Sequence, residues 1–284
     1  MFTAYKMEKL IEIKEFYSAF IRRCNDKYRF PGEMHDFWEF VCIISGSAEA
    51  SANDKIIRLE KGQIIFHKPL EFHNLRACSG SDLTALIVSF SAGGSLIDSF
   101  GEKSITLSGE QLAGLSEIVK IIDLPHNLQG DDSLLTEALE KFKSNPRQGQ
   151  KFKNMIENFI ISLSEEPEDS RVPLYNVETL IYKNAVDILN KSKYSSVSIR
   201  EVAENCNVST AYLKKIFSKY AGIGIHKYFL QLKLAVAKQM LDKGFSSADI
   251  AEKLSFCSQN YFSVVFKREE GISVTQYKNS KKGV

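Results

Sequence analysis

Val202-Ala203-Glu204-Asn205-Cys206-Asn207-Val208-Ser209-Thr210-Ala211-Tyr212-Leu213-Lys214-Lys215-Ile216-Phe217 carries a pattern that returns about 48 residues later, in Ile250-Ala251-Glu252-Lys253-Leu254-Ser255-Phe256 and on through Phe262 to Phe266. In each copy an apolar-Ala pair opens a short helix. A tight turn follows, and a second helix carries a bulky apolar pair four residues apart. That is the outline of a helix-turn-helix, whose second helix lies in the major groove of DNA.

Local chemistry around the two copies predicts an all-helical region from about Thr179 onward. Ser198-Ile199-Arg200-Glu201 is a capping box that opens a helix. Asn207 stands where the turn needs a positive φ, which asparagine tolerates. Ser209 can cap the next helix, running toward Lys219. A long amphipathic helix is expected from about Ile225 to Leu241, with Phe229, Leu232, Ala235, Val236 and Met240 inward. Ser246 or Ser247 caps the first helix of the second copy. Ser258 caps its reading helix, Gln259 to Arg268, and a short last helix starts near Ser273.

The helical period assigns the side chains of the two reading helices. Leu213, Phe217, Phe262 and Phe266 belong to the core. Thr210, Ala211, Lys214 and Lys215 face outward from the first helix; Ser258, Gln259, Asn260, Ser263 and Lys267 face outward from the second. Gln259 and Asn260 have the bidentate geometry for adenine, and Lys214 can donate to guanine. Ser209 and Arg268 complete the expected DNA-contacting set. Tyr212 and Tyr261 suit packing with the hydroxyl on a phosphate, and Lys219, Arg268, Lys278 and Lys281-Lys282 suit phosphate or solvent better than base edges.

Charge supports this. The net charge of +2 conceals a split: residues 180–284 carry 17 Lys/Arg and 8 Asp/Glu, whereas residues 1–179 carry 20 and 27. A basic C-terminal third beside an acidic remainder is the electrostatic footprint of a nucleic-acid module joined to something else.

The N-terminal part reads as β-rich. Glu39 to Ile44 is a strand candidate followed by Ser45-Gly46. Asn53-Asp54 is a hairpin turn before Lys55 to Leu59, Lys61-Gly62 is a turn before Gln63 to Phe66, and Leu83 to Phe90 is a further strand. Short strands at this spacing predict a small barrel or jelly roll. From Ser108 to Ser164 the pattern turns helical. Phe152, Ile156, Phe159, Ile160 and Leu163 form one stripe, which covers the barrel, an adjacent helix or a dimer partner. Glu165 to Pro173 is acidic and proline-punctuated, as a linker would be.

At this point the C-terminal residues, in their order, resemble the AraC-type (AraC/XylS) transcription regulators. The matching positions are the first unit quoted above, then Gly222 to Tyr228, Lys233-Leu234-Ala235 and Ala237, then Ile250 to Phe256, Tyr261 to Arg268, Gly271 and Tyr277. The resemblance implies two helix-turn-helix units joined by a helix that sets their reading helices one groove turn apart, roughly 34 Å. The chain departs from the family pattern in four places. Ser255 stands where the family has glycine, Gly224-Ile225 and Ser273-Val274 where it has Ser/Thr-Pro, and Lys233 where it favours arginine.

Glu33-Met34-His35-Asp36-Phe37-Trp38-Glu39, with Gly46, Lys61-Gly62-Gln63, Pro69 and His73, resembles the cupin-like sugar-sensing domain found in this family. Strand alternation would put His35, Phe37 and Glu39 on one face, with Phe66 and His73 joining them to form the ligand pocket. Carboxylate and imidazole suit hydroxyl-rich ligands, and aromatic faces suit sugar C–H surfaces. Glu33, His35, Glu39 and His73 also make a mixed donor set that can hold a divalent ion. The family's sensor domains usually need none, and no metal or other cofactor is assigned.

The expected fold class is therefore α+β: a cupin-like β-barrel or jelly roll with helices, then an all-α domain with two helix-turn-helix units. The expected organisation is a ligand-sensing and dimerisation domain over 1–165, a linker over 166–178 and a DNA-binding domain over 179–284. The expected function is a ligand-responsive transcription activator of sugar or other carbon-metabolism genes, not an enzyme. It would act as a cytoplasmic homodimer on double-stranded DNA, with RNA polymerase and a sugar-like effector as partners. A metal-dependent cupin enzyme using His35, Glu39 and His73 is one alternative. A regulator whose N-terminal domain only dimerises or binds a protein is another. Five cysteines without metal-ligand spacing read as reduced, mostly buried thiols. No apolar run is long enough to span a bilayer, and no signal peptide is recognised.

Overall fold

A computed structural model describes residues 5–80, 82–101, 104–122, 137–164 and 177–282. The chain divides into two compact units, Met1–Phe30 with Asp36–Leu174, and Pro31–His35 with Tyr175–Val284. No described helix is long and apolar enough to cross a membrane.

The first unit packs two antiparallel sheets. Strands β1 (Glu12–Cys24), β7 (Leu83–Gly93), β2 (Trp38–Ser45), β5 (Gln63–His67) and β8 (Ser104–Thr106) form one, in that spatial order. Strands β4 (Lys55–Glu60), β3 (Ser47–Ala52) and β6 (His73–Ala77) form the other. Turn chemistry fixes the connections. Asn53, at φ 50°, closes the two-residue β3–β4 hairpin with Asp54. Gly46, at φ 77°, joins β2 to β3 where a Cβ would sit 2.3 Å from the Asp82 carbonyl oxygen, so only glycine fits. Lys61-Gly62 carries the chain from one sheet to the other, since β4 and β5 lie in different sheets.

Alternation along β2 divides the interior. Trp38, Phe40 and Cys42 point to the outer face of the five-stranded sheet, into a core completed by helices α1 (Gly109–Ile122), α2 (Glu137–Ser144) and α3 (Pro146–Leu163). Val41 and Ile43 point between the sheets, against Ala48, Ala50, Ile57, Leu59 and Leu75. The stripe Phe152, Ile156, Phe159, Ile160, Leu163 is buried in the helix-covered core, with Phe159 6.2 Å from Phe40 and Phe152 4.9 Å from Phe16 between ring centroids. Those side chains cover the sheet and are not available to a dimer partner.

Strand β1 is the element that the local pattern hides. Bulges between Ile13 and Glu15 and between Phe16 and Ser18 break its two-residue period, so its core face does not read as an alternation. The acidic run Glu165 to Pro173 lies outside the described residues. So does the expected linker, apart from Val177 and Glu178, which already belong to a helix.

The second unit is helical: α4 (Val177–Lys191), α5 (Ile199–Asn205), α6 (Thr210–Tyr220), α7 (Ile225–Asp242), α8 (Ser247–Lys253), α9 (Gln259–Glu270) and α10 (Val274–Lys282). Ser198 and Glu201 form a capping box on α5, and Ser246 and Asp249 form a second on α8. Both turns contain a left-handed residue, Asn207 at φ 54° and Ser255 at φ 52°. Tyr182, Leu213, Phe217 and Tyr228 are fully buried in the first helix-turn-helix, and Ile250, Leu254, Phe262 and Phe266 in the second. Helix α7 is buried along most of its length, as a central strut would be. Phe229 departs from the expected inward set: it is half-buried, and its ring lies under the Lys233 ammonium. The five cysteines are free thiols. Cys42 and Cys206 are buried, Cys24 and Cys78 half-buried and Cys257 exposed, so burial is less general than expected.

Candidate functional site

Helices α6 and α9 each present an exposed polar face and bury the opposite one. Ser209 caps α6 by accepting the Tyr212 backbone N–H at 3.2 Å, and Ser258 caps α9 by accepting that of Tyr261 at 3.0 Å. Each hydroxyl keeps a proton to donate, and each helix N-terminus favours an anion. Thr210, Ala211, Lys214 and Lys215 are exposed on α6, as are Gln259, Asn260 and Lys267 on α9. Ser263 is half-buried and turns its hydroxyl back to the Gln259 carbonyl at 3.0 Å, so it is less available to a base than its neighbours.

Carboxylates hold the flanking cations. The Lys219 ammonium pairs with Glu178 in the first turn of α4, which also accepts from the Tyr220 hydroxyl at 3.1 Å and the Tyr212 hydroxyl at 3.4 Å. These donors hold the Glu178 carboxyl below the usual range, Lys219 most strongly. Arg268 likewise donates to Glu269 at 2.7 Å. Lys278 donates to the Phe245 carbonyl at 2.7 Å, a structural use where phosphate or solvent was expected.

Lys233 also works inside the fold. It is only 6% exposed, donates to the Leu254 carbonyl at 2.7 Å and lies over the rings of Phe229 and Phe256. Burial pushes its pKa down. It thereby satisfies the carbonyl at the end of α8 and fixes the second turn. Ser255 donates to the Tyr194 carbonyl at 3.2 Å, which ties that turn to the segment between α4 and α5.

In the first unit, strand register assembles a buried polar row. Glu39 on β2 lies across from His67 on β5 and Ser89 on β7, and Ser89 lies across from Ser18 on β1. Ser18 and Ser89 hydroxyls are 2.7 Å apart, and Ser89 donates to Glu39 Oε2 at 2.7 Å. His73, from the second sheet, brings Nε2 to 3.4 Å from Glu39 Oε1. Its Nδ1 donates to the Glu71 carbonyl at 3.0 Å, and its ring stacks on His67 with centroids 4.3 Å apart. His67 Nδ1 bonds the Glu71 carboxylate at 2.8 Å. Burial first, then the adjacent His73, lowers the His67 pKa despite that bond, which favours neutral imidazole.

The expected pocket residues of the first unit do not all share one face. Glu39 and His73 come together. Phe66 does not join them: it is paired with Phe40, so the period of two sends both rings into the helix-covered core, where Phe66 stacks on Phe100 at 4.6 Å. His67, one residue on, takes the face expected for Phe66. His35 and Phe37 precede β2, which begins at Trp38, so strand alternation does not reach them. Phe37 stacks on Tyr17 at 4.0 Å, while Glu33 and His35 sit on the segment Pro31–His35 that groups with the other unit. His67, Glu71, Ser89 and Ser18 were missed by the sequence reading. Counting parity outward from Glu39 through the strand pairs would have found His67 and Ser89.

The comparisons with known proteins follow the same division. An AraC-like ligand binding domain model matches residues 15–170, and a helix-turn-helix domain model matches residues 202–280. The chain belongs to the AraC family of transcription regulators. It is 31% identical to the Msm operon regulatory protein of Streptococcus mutans over 126 residues, 44% of this chain and 42% of that one. The match thus spans less than half of that relative. Against the HTH-type transcriptional regulator YbfI of Bacillus subtilis it is 23% identical over 233 residues, 82% of this chain and 81% of that one. Among solved structures, ToxT from Vibrio cholerae O395 aligns over 94% of this chain and 98% of its own at 16% identity, with a TM-score of 0.39. The chain is thus an AraC-family regulator with a ligand-binding domain and a DNA-binding domain.

Proposed function

We propose that this regulator reads two adjacent major-groove segments of its operator, with α6 on one and α9 on the other. The observation that carries the reading is the pair of serine-capped helices, each buried on a Leu/Phe or Phe/Phe face and each presenting exposed amide or ammonium groups outward. Lys214, Lys215, Gln259, Asn260 and Lys267 are the base-edge candidates. Ser209, Thr210, Ala211, Ser258, Ser263 and Arg268 supply phosphate and packing contacts around them. Replacing Gln259 or Lys214 with alanine should cost about 1–3 kcal/mol and relax specificity at one base position. Wild-type affinity and an unchanged footprint in both variants would refute the assignment.

The proposed sensor spans residues 1–165 and takes a small polyol or sugar, with Glu39 and His73 as its polar anchors. A buried carboxylate and imidazole, both oriented by hydrogen bonds, support a hydroxyl-rich ligand. The output proposed is activation of carbon-metabolism genes by a cytoplasmic homodimer that engages RNA polymerase, with no catalysis. The effector must bind one arrangement of the protein better than another to act at all. Thermal unfolding against a panel of pentoses, hexoses and polyols tests the ligand class. A rise in melting temperature that Glu39→Gln abolishes supports it; no rise with any of them removes it.

A further inference from the structure

Helix α9 turns one bulky aliphatic side chain to solvent. Val264 is 57% exposed, whereas Val265 and Phe266 beside it are fully buried. Among the described residues it is the one large aliphatic side chain exposed on either reading helix. It stands four residues after Asn260 and three before Lys267, both exposed, and so falls between them on the outward face. Counting six residues from each N-cap, Ser209 and Ser258, its equivalent on α6 is Lys215. A valine there gains the free domain little: it is a weaker helix former than lysine or alanine, and more than half of its surface stays in water.

The groove that α9 would face presents one apolar group on its floor, the C5 methyl of thymine. An amide and an ammonium flank Val264, which suits a site walled by base edges and phosphates rather than a protein partner's apolar face. We propose that Val264 is a specificity-determining residue of the second helix-turn-helix, packing against a thymine methyl in its half of the operator. This rests on the reading of α9 as a DNA-contacting helix. It adds an apolar term to a face whose polar members, Asn260 and Lys267, would read or hold the neighbouring positions.

The test uses the full chain and needs no known operator. Wild-type protein selects sites from a random double-stranded library, and each thymine of the selected site is then replaced singly by deoxyuridine, which lacks only the methyl. We expect one thymine, on the side protected by the second unit, whose replacement weakens wild-type binding about three- to fivefold, the effect of one buried methyl. Val264→Ala should lose about the same factor on the intact site and be indifferent to that replacement, with an unchanged melting temperature. If every deoxyuridine affects wild type and Val264→Ala alike, while Lys214→Ala still weakens binding, the inference fails and the DNA reading stands. If no sequence is enriched, the DNA reading fails and takes the inference with it.

Discussion

The two helix-turn-helix units share a buried pattern and differ in what they turn outward. Leu213, Ile216 and Phe217 on α6 correspond to Phe262, Val265 and Phe266 on α9, and all six are buried. On the outward side Ala211, Lys214 and Lys215 correspond to Asn260, Ser263 and Val264. At these positions the first helix-turn-helix therefore turns two ammonium groups outward, and the second an amide and an apolar branch, with the Ser263 hydroxyl bonded back to the Gln259 carbonyl. Their turns also diverge. Val208 and Phe256 each return a backbone N–H to the carbonyl five residues back, Ala203 and Ala251, but only the second turn inserts a further residue, Cys257, before its N-cap. The spacing between copies thus grows from 48 to 49 residues across the turn. Common packing fixes the scaffold, and the outward positions can carry different sequence readings on it.

The buried halves offer the largest perturbation. Phe217→Ala and Phe262→Ala each empty a fully buried site and should each cost about 3–5 kcal/mol in denaturant unfolding. A loss under about 1 kcal/mol in either would mean that the two cores are not equivalent, and the comparison would break there.

Lys233→Met sharpens the comparison, because this buried lysine bonds a carbonyl of the second turn. Methionine keeps the packing over Phe229 and Phe256 but leaves the Leu254 carbonyl without its donor. We expect a loss of about 1–3 kcal/mol, with faster amide exchange in α8 and α9 than in α5 and α6. Equal exchange in all four helices would show that the lysine holds no turn in particular.

These contrasts also mark what the amino-acid order makes legible. Both helical units can be read because their signals are local: Ser198 with Glu201, Ser209, Ser258 and the left-handed Asn207 act within four residues of chain. The polar row around Glu39 is less legible because strand parity is not local. Phe66 and His67 differ by one residue, and only the pairing of β5 with β2 decides which of them faces Glu39. Lys233 and Glu178 find their partners 21 and 41 residues away, so no window along the chain reveals them. Strand β1 is hidden by its bulges.

The two turns differ at one left-handed residue, and the expected effect is smaller. Ser255 adopts φ 52° at a cost of order 1 kcal/mol, and its hydroxyl bond to Tyr194 offsets part of that. Ser255→Ala loses the bond and keeps the strain, whereas Ser255→Gly loses the bond and relieves it. The glycine variant should be the more stable by about 1 kcal/mol. Asn207→Gly should change stability by only a few tenths of that, because asparagine already tolerates the conformation. A glycine variant no more stable than alanine at position 255 would place the cost elsewhere than in φ.

The smallest effect concerns the flanks, where the two units match. Lys219 and Arg268 occupy equivalent positions, ten residues after their N-caps, and each is held by a carboxylate, Glu178 or Glu269. A carboxylate beside a cation competes with a DNA phosphate for it. Glu178→Gln removes the charge but keeps an acceptor for Tyr212 and Tyr220, so the fold should be unaffected. Lys219 would then be released to the backbone, raising affinity about two- to threefold at low salt and steepening the log–log salt dependence by about one unit. Glu269→Gln should act equally on the other half-site, and the double variant should steepen it by about two units. A slope unchanged by Glu178→Gln but altered by Glu269→Gln would place only the second flank on the backbone, and the symmetry between the units would end at their cores.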